Sequence, residues 1–376
     1  MKTDLAIVTS TFDNVYSGVG TYAKLLVNGL KEAGLSFCVI SPDCQHNPPY
    51  FIRTKVNSYD PSPNKWVSNS LAFGKVLSSI KDQIKMVHFL DAREAFLVRK
   101  ERGITFIGSV HDTYSFDLQS QSLLKEHFVD WRKRLLYYTV LYKAEKRCYK
   151  KFDYFIANTD FVKERLWDFY DVERSIAETV YIGAPLKKIA NERELKEPYQ
   201  VSFIGGNFQR KGLIPLARAV KMLSDGGIKI RLLVAGRDKN ELQIKARLKE
   251  MGCDDVVHFY GYMPPQNIPS FLMSSHLFAM PSYVEAFGLV YLEAMACGVP
   301  VVGTINGGTK ELIKDGENGF LCDPLRTDDI ADKIRKLLNP ATRKRIIEKG
   351  YETVDKYPID NSISGTIKIY EKLKAC

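Results

Sequence analysis

The sequence predicts an α/β protein of two domains, each with a doubly wound parallel sheet and helices on both faces. With 376 residues, the chain is long for one hydrophobic core and ordinary for two domains. Short apolar runs recur along it, as expected of strands buried on both faces. Longer segments with helical periodicity separate these runs, and this alternation is typical of parallel α/β folds.

Eleven apolar runs mark the predicted strands, five before and six after a charged, proline-bearing stretch at residues 182–200. That stretch has the composition of a linker. We therefore place the first domain at residues 1–183 and the second at 184–357, followed by a last helix at about 358–376. Two such sheets are expected to face each other across a cleft at the carboxyl ends of their strands, where these folds bind ligands.

The composition, 45% hydrophobic and 26% charged, is that of a soluble globular protein. We expect no membrane-spanning helix, because no apolar run approaches eighteen residues, and no signal peptide, because the first apolar run is short. Seven cysteines without paired spacing favour a reducing compartment, hence a cytoplasmic protein, and no metal-ligand spacing is evident.

The net charge of +10 favours anionic partners: nucleotides, phosphates, acidic lipids or nucleic acid. Residues 119–151 carry nine Lys/Arg against three Asp/Glu, interleaved with Trp131, Tyr137, Tyr138, Tyr142 and Tyr149. A basic, aromatic helix can lie on an anionic membrane surface. The alternative is a solvated helix whose aromatic side chains face the core, and the sequence leaves both open.

A glycine turn near the start, GVGTYA from Gly18 to Ala23, satisfies the dinucleotide pattern G-x-G-x-x-A, so an NAD-dependent dehydrogenase must be considered. That fingerprint places its first glycine directly after a strand, whereas seven residues intervene here, and Asp43 resembles a loop aspartate more than a ribose ligand. Backbone at Gly18 and Gly20 can still approach a phosphate at a helix start.

A second turn, at residues 203–213, links a predicted strand to a helix. Gly205 and Gly206 permit close backbone approach, while Arg210 and Lys211 provide two cations. An arginine fork and a lysine point charge suit a diphosphate. The alternative is a solvated surface turn.

Two glutamates, Glu285 and Glu293, bracket a short apolar segment, with a helix predicted to start near Phe287. The first N–H groups of a helix form an anion site, and carboxylates accept hydrogen bonds from vicinal hydroxyls. A nucleoside diphosphate sugar has the matching parts: we expect its sugar at Glu285, its diphosphate at the turn and its ribose at Glu293. The alternative is a dipole-stabilising carboxylate plus an exposed helical glutamate.

Nearly the whole chain resembles the retaining glycosyltransferases of family 4, which have the GT-B fold. The resemblance is carried by residues 17–26, 110–112, 157–166, 203–212 and 257–324, including the Glu-x7-Glu signature at Glu285 and Glu293. It implies that the first domain binds the acceptor and the second the donor, and that the last helix, about 358–376, packs back on the first domain. Two departures concern fine detail: Gly206 stands where many members have arginine, so Arg210 must supply that charge, and Ser17-Gly18 replaces a glycine pair.

The resemblance implies four catalytic residues. Glu285 contacts the transferred sugar, Arg210 and Lys211 neutralise the departing diphosphate, and His111 lies beside the donor sugar. The resemblance also implies that a set of residues contacts the donor. These residues are Gly18, Gly20, Gly205, Asn207, Arg210, Lys211, Tyr262, Met263, Ala286, Phe287, Gly288, Leu289 and Glu293. Of these, Tyr262 and Met263 are expected near the base.

The implied reaction moves a sugar from a nucleotide-diphosphate sugar to a hydroxyl of a glycan or lipid-linked acceptor, as in lipopolysaccharide or polysaccharide biosynthesis. UDP-sugars are the first expectation for the donor and GDP-mannose the second. No Asp-x-Asp pair occurs, so no metal is expected, and no other cofactor is expected either. We also expect no nucleic-acid partner. Alternatives are a GT-B sugar-nucleotide epimerase, a phosphorylase, or a non-catalytic sugar-nucleotide-binding protein.

Overall fold

A computed structural model describes residues 3–12, 18–42, 44, 48–54, 63–123, 131–184, 186–190 and 193–375. The chain divides into two compact units. The first comprises Met1–Ile182 together with Ile359–Cys376, and the second comprises Gly183–Pro358. Each unit is built on one parallel sheet with helices around it.

The first unit contains a seven-stranded sheet in the order β3-β2-β1-β4-β5-β6-β7. Its strands are β1 (Leu5–Val8), β2 (Phe37–Ser41), β3 (Phe51–Arg53), β4 (Met86–Phe89), β5 (Thr105–Val110), β6 (Tyr154–Ala157) and β7 (Ala177–Thr179). Its helices are α1 (Gly18–Glu32), α2 (Pro63–Ile80), α3 (Tyr114–Leu123), α4 (Trp131–Tyr149), α5 (Asp160–Tyr170) and, from the end of the chain, α13 (Ile359–Lys374).

The second unit contains a six-stranded sheet in the order β10-β9-β8-β11-β12-β13. Its strands are β8 (Tyr199–Ile204), β9 (Ile230–Ala235), β10 (Val257–Gly261), β11 (Leu277–Ala279), β12 (Val301–Thr304) and β13 (Phe320–Cys322). Its helices are α6 (Leu213–Asp225), α7 (Glu241–Glu250), α8 (Ile268–Met273), α9 (Leu289–Ala296), α10 (Thr309–Leu312), α11 (Thr327–Leu337) and α12 (Pro340–Lys356).

Helix α13 completes the core of the first unit. Ile369 and Tyr370 are buried in the same apolar cluster as Leu26 of α1. The two helices approach closely because α1 carries Gly29, where an added Cβ would lie 2.2 Å from Ile363. The Tyr370 hydroxyl also hydrogen-bonds Nδ1 of the buried His88 on β4. Burial and these polar contacts together explain why the last helix belongs to the first unit.

All eleven predicted strands are present, and two further strands were missed. The missed strands, β3 and β7, lie at the two edges of the first sheet. Each has three residues, and their side chains are mostly only partly buried. Their short length and partial burial leave them without the continuous apolar run by which the other strands, including the edge strands β10 and β13 of the second sheet, were recognised.

In helix α4, part of the basic segment, aromatic side chains pack inward as one of the two alternatives expected, while two apolar side chains are exposed. The rings of Tyr142 and Tyr149 pack inward on Tyr170, with ring centroids 5.2 Å and 4.9 Å apart. Leu136 and Val140 instead remain 68% and 58% exposed. Residues 124–130 and the Trp131 side chain lie outside the described part. None of the helices in the described ranges is long and apolar enough to cross a membrane.

Candidate active site

The predicted donor residues of the second unit gather at the carboxyl edge of its sheet, where β8 and β11 are neighbours. The strand order reverses between these two strands, because β9 continues on one side of β8 and β11 lies on the other. In open parallel sheets such a switch point leaves a crevice that binds ligands. Two loops shape it here: one joins β8 to α6, and the other joins β11 to α9.

The β8–α6 loop is fixed to the β11–α9 loop by backbone contacts. The Tyr283 amide donates to the Arg210 carbonyl over 2.8 Å. Gly212 has a φ of +78°, and a Cβ there would lie 1.9 Å from the Pro281 carbonyl oxygen. Only glycine therefore lets the two loops meet. The contact holds Arg210 and Lys211 in the turn that faces the second loop.

Lys211 and Glu285 form the charged centre of this edge. The Lys211 Nζ lies 3.4 Å from the Glu285 Oε2, and the Ser282 hydroxyl donates to the same oxygen over 3.2 Å. Both charged side chains are largely buried. A Cβ on Gly205 would lie 2.6 Å from Lys211 Cδ, so this glycine leaves the space that the lysine side chain occupies. The structure thus brings together two residues that the sequence predicted for the same site.

The backbone of Glu285 is held by a segment that sequence analysis missed. The Glu285 amide donates to the Asn306 carbonyl, and the Gly308 amide donates to the Glu285 carbonyl over 3.0 Å. Gly307, with φ of +110°, would place a Cβ 2.1 Å from the Glu285 carbonyl oxygen. The signal was present as the paired glycines that follow β12. A glycine is needed at position 307 because of its contact with Glu285, which lies over twenty positions earlier in the chain.

Helix α9 begins two residues later than predicted. Its first residue is Leu289 rather than a residue near Phe287, because Gly288 before it has a φ of +84° and is left-handed. A Cβ on Gly288 would lie 2.3 Å from the ring of Tyr291, whose hydroxyl donates to the Met280 carbonyl. Ala286 and Phe287 are buried in the preceding loop. The unpaired N–H groups of the first helical turn consequently start at Leu289.

Glu293 lies one turn into α9, about 6 Å along the axis from Leu289. Its side chain is partly buried, and among the described residues no group forms a hydrogen bond or ion pair with its carboxylate. Burial raises the pKa of Glu293 to about 7. A carboxyl group with this environment is available to a ligand and titrates near neutral pH.

Three glycines, Gly205, Gly236 and Gly261, lie at the ends of β8, β9 and β10 on the other side of the same edge. The Gly236 amide donates to the Gly261 carbonyl over 2.7 Å, and a Cβ on Gly236 would overlap the Gly205 carbonyl oxygen at 1.8 Å. The ends of β8, β9 and β10 therefore approach one another through backbone atoms of glycine residues. Arg237, which sequence analysis missed, places its guanidinium 5.2 Å from the ring centre of Tyr262.

Met263 and Asn207 flank this part of the edge. Met263 packs on the apolar cluster of Leu233, Ala235 and Phe271. Asn207 has a φ of +50°, and its side-chain oxygen accepts from the Arg210 amide over 3.4 Å. Both residues thus lie in the loops that border the candidate donor site.

The remaining predicted site residues belong to the first unit. Gly18 and Gly20 form the first turn of α1, while residues 13–17 and Asp43 lie outside the described part. His111 follows β5, and its Nε2 donates to the Leu90 carbonyl over 2.9 Å. Burial lowers the pKa of His111, so the imidazole is neutral at physiological pH. The predicted roles of these three residues toward a donor stay predictions.

Solved structures with the same architecture define the class of fold. Sucrose-phosphate synthase from Thermosynechococcus elongatus matches with a TM-score of 0.79 and 19% identity, over 99% of both chains. Anabaena HepE in complex with UDP-glucose matches with a TM-score of 0.72 and 17% identity, over 99% of this chain and 100% of that one. The protein has the GT-B fold of these enzymes.

Family models cover both units. "Glycosyltransferase Family 4" matches residues 16–188, and "Glycosyl transferases group 1" matches residues 187–353. The chain belongs to the family 4 glycosyltransferases. The D-inositol 3-phosphate glycosyltransferase of Corynebacterium jeikeium is 32% identical over 250 residues, which are 61% of this chain and 60% of that relative. The match therefore spans less than two thirds of the relative's length.

Proposed function

We propose that the protein transfers a sugar from a nucleoside diphosphate sugar to a hydroxyl of a glycan or lipid-linked acceptor, with retention of the anomeric configuration. The observation that carries this proposal is the Lys211–Glu285 pair, 3.4 Å apart at the switch point of the second sheet. A cation beside a carboxylate gives one group for a diphosphate and one for sugar hydroxyls.

The donor is oriented by parts of the second unit. Lys211 and Arg210 neutralise the diphosphate, and the first amides of α9 add a partial positive charge. Glu293, with its carboxylate free of partners in the described part of the chain, accepts hydrogen bonds from the ribose hydroxyls. Tyr262 and Met263 lie at the adjoining loop and contact the base. The UDP-glucose complex of HepE supports a uridine donor as the first candidate, with GDP-mannose second.

The chemical step follows from where charge develops. As the bond between the anomeric carbon and the phosphate oxygen breaks, negative charge grows on the diphosphate, and Lys211 and Arg210 stabilise it without a metal ion. The acceptor oxygen bonds to the same face of the anomeric carbon, and its proton passes to the departing phosphate. Glu285 orients the transferred sugar through its hydroxyls. The products are the glycosylated acceptor and the nucleoside diphosphate.

An exposed face of α4 favours an acceptor at an anionic lipid surface. Leu136 and Val140 are exposed, and Lys143 and Arg147 continue the same face of the helix at spacings of three and four residues. Lys150, also exposed, directly follows the end of the helix. Apolar side chains that enter a headgroup layer, together with cations that meet anionic lipids, are the two components of peripheral binding. This surface suits an enzyme of polysaccharide or lipopolysaccharide synthesis at the inner face of a membrane.

A thermal-shift panel of uridine, guanosine and adenosine diphosphate sugars, without added metal, tests the donor proposal. A ligand at a hundred times its Kd stabilises the folded protein by about 2.7 kcal/mol. We expect one base to give a clear shift. Lys211→Ala should reduce that shift by about half or more, and Lys249→Ala, an exposed lysine of α7, should retain it. NMR of the product anomer then tests retention. A shift that is undiminished in Lys211→Ala contradicts the assignment of the cation.

A further inference from the structure

A charged cluster occupies the carboxyl edge of the first sheet, at its own switch point between β1 and β4. Arg93 lies in the short 3-10 turn Ala92–Ala95 that follows β4. Its Nε and Nη2 donate to the Asp91 carboxylate over 2.8 Å and 2.6 Å, and its Nη1 lies 2.9 Å from Asp112 Oδ1. One guanidinium is thus shared by two carboxylates, and its position is fixed by at least three contacts.

Glu94, the next residue, adds an independent observation. Its side chain is buried, and its Oε1 accepts from the Ser10 amide at the end of β1 over 2.6 Å. Its Oε2 is buried without a hydrogen-bond partner among the described residues. Burial and the neighbouring Asp91 raise the pKa of Glu94 to about 8. A buried carboxyl oxygen with no partner is uncommon in folded proteins and indicates a group that is completed by something else.

From this arrangement we propose that Asp91, Asp112 and Glu94 form a hydroxyl-recognition site that takes an uncharged sugar ring of the acceptor and rejects a phosphorylated one. The proposal deepens the proposed function, on which it rests, by naming the class of acceptor. Asp91 and Asp112 keep 23% and 36% of their side chains exposed, so these carboxylates can accept hydrogen bonds from hydroxyl groups. Asp112 Oδ1, beside Arg93, is buried and does not take part.

Charge explains why a phosphate does not suit this edge. The positive charge of Arg93 is already balanced by Asp91 and Asp112, so it gives a phosphate little net attraction. The buried Glu145 lies close enough to interact with Arg93 as well. An anionic acceptor therefore meets like charges, which disfavours it. The named substrate of the Corynebacterium relative, an inositol 3-phosphate, carries the group that this edge rejects.

Saturation-transfer NMR on the full chain tests the proposal directly. The probes are the methyl glycosides of glucose, galactose, mannose and N-acetylglucosamine, with glucose 6-phosphate as the charged counterpart. We expect at least one glycoside to bind and glucose 6-phosphate not to. Asp112→Asn should weaken the glycoside about tenfold, since a hydrogen bond to a charged group is lost. Asp82→Asn, an exposed aspartate of the same unit, should leave binding unchanged.

Further variants and a donor measurement keep the two proposals separable. Glu94→Gln preserves size, so a weakened glycoside signal in that variant, with an unchanged thermal unfolding temperature, supports recognition by Oε2. The proposal is overturned if no glycoside binds, if glucose 6-phosphate binds as well as the glycosides, or if Asp112→Asn and Glu94→Gln both bind like the unaltered protein. A nucleotide-sugar thermal shift measured on the same samples tests donor binding alone, so its absence beside glycoside binding counts against the proposed function only.

Discussion

The two sheets reverse their strand order at equivalent points, and different chemistry has been placed on the two edges. At the second edge, glycines such as Gly205 bring bare backbone forward, and Lys211 contacts a single carboxylate. At the first edge, Arg93 is engaged by two aspartates, with the buried Glu94 beside them. One topology therefore supports a cationic edge and an acidic edge.

The difference shows that the fold decides where ligands bind, while the side chains at the strand ends decide which ligands bind. The edge of the second sheet, where Lys211 is paired with the Glu285 carboxylate near the first amides of α9, suits a diphosphate. The edge of the first sheet, where the charge of Arg93 is balanced by the partly exposed carboxylates of Asp91 and Asp112, suits neutral hydroxyl groups. The largest effects on transfer are accordingly expected at the second edge, where charge develops during the reaction.

Replacing the Glu285 carboxylate should give the largest loss. We expect Glu285→Gln to lower kcat by about 100- to 1,000-fold, the range for removal of one preorganised catalytic group, because the amide keeps the size of the side chain but not its charge. Glu317→Gln, at an exposed glutamate of the same unit, serves as the control. Steady-state transfer rates and thermal unfolding should be measured together. Normal turnover in Glu285→Gln would remove Glu285 from the mechanism.

Loss of the Lys211 charge should weaken nucleoside diphosphate binding by about 10- to 100-fold, as expected of a charge-assisted contact. Gly205→Ala should act in the same direction, because the new Cβ occupies the space of Lys211 Cδ. Calorimetry with the diphosphate measures both variants. If Gly205→Ala binds normally while Lys211→Met does not, the lysine reaches the ligand from another position.

The outer surface of the first unit provides a third test, one that separates membrane binding from chemistry. The double variant Leu136→Ser with Val140→Ser should lower the partition onto vesicles containing phosphatidylglycerol by about tenfold, through the apolar area removed. Exposed Leu325 of the second unit offers Leu325→Ser as the matched control. Binding should also fall as salt rises. Equal partition onto purely zwitterionic vesicles would contradict the electrostatic part of the proposal.

The smallest expected effect is a pH dependence centred on Glu293. Its pKa is raised from 4.5 to about 7 by burial, so the folded state keeps this proton to a higher pH than the unfolded chain. Without ligand, its contribution to the stability of the fold therefore falls as the pH rises from about 4.5 to about 7. A ribose diol prefers the ionised carboxylate, so UDP affinity should rise several-fold between pH 6 and 8.

The variant Glu293→Gln isolates this group from the titration of the nucleotide itself. The phosphate of UDP titrates identically with both proteins, so the difference between their pH profiles belongs to Glu293. We expect calorimetry to show a flatter profile for the variant. Two parallel profiles would mean that the Glu293 carboxylate does not contact the ribose.

The features that could be predicted have their signal in neighbouring residues, whereas most contacts between residues far apart in the sequence were not predicted. The core strands, the Arg210–Lys211 turn and the two glutamates were visible because each carries its signal within a few residues. Gly307 was missed because its role depends on Glu285, with which the fold brings it into contact. The Asp91–Arg93–Asp112 cluster was missed for the same reason, since it joins the ends of two strands. Ser282 was missed although it lies only three residues before Glu285. The start of α9 was misplaced because Gly288 has a left-handed backbone, at a position where a Cβ would also meet the ring of Tyr291.

Helix α13 has a consequence for how the chain is made. The first unit contains both the earliest residues and Ile359–Cys376, with the second unit inserted between them. A ribosome therefore releases every strand of the second unit before it supplies Ile369 and Tyr370, which close the core around α1 and His88. We expect the unit whose synthesis begins first to complete its core only after the second unit has been made, and to need protection from aggregation until α13 is available.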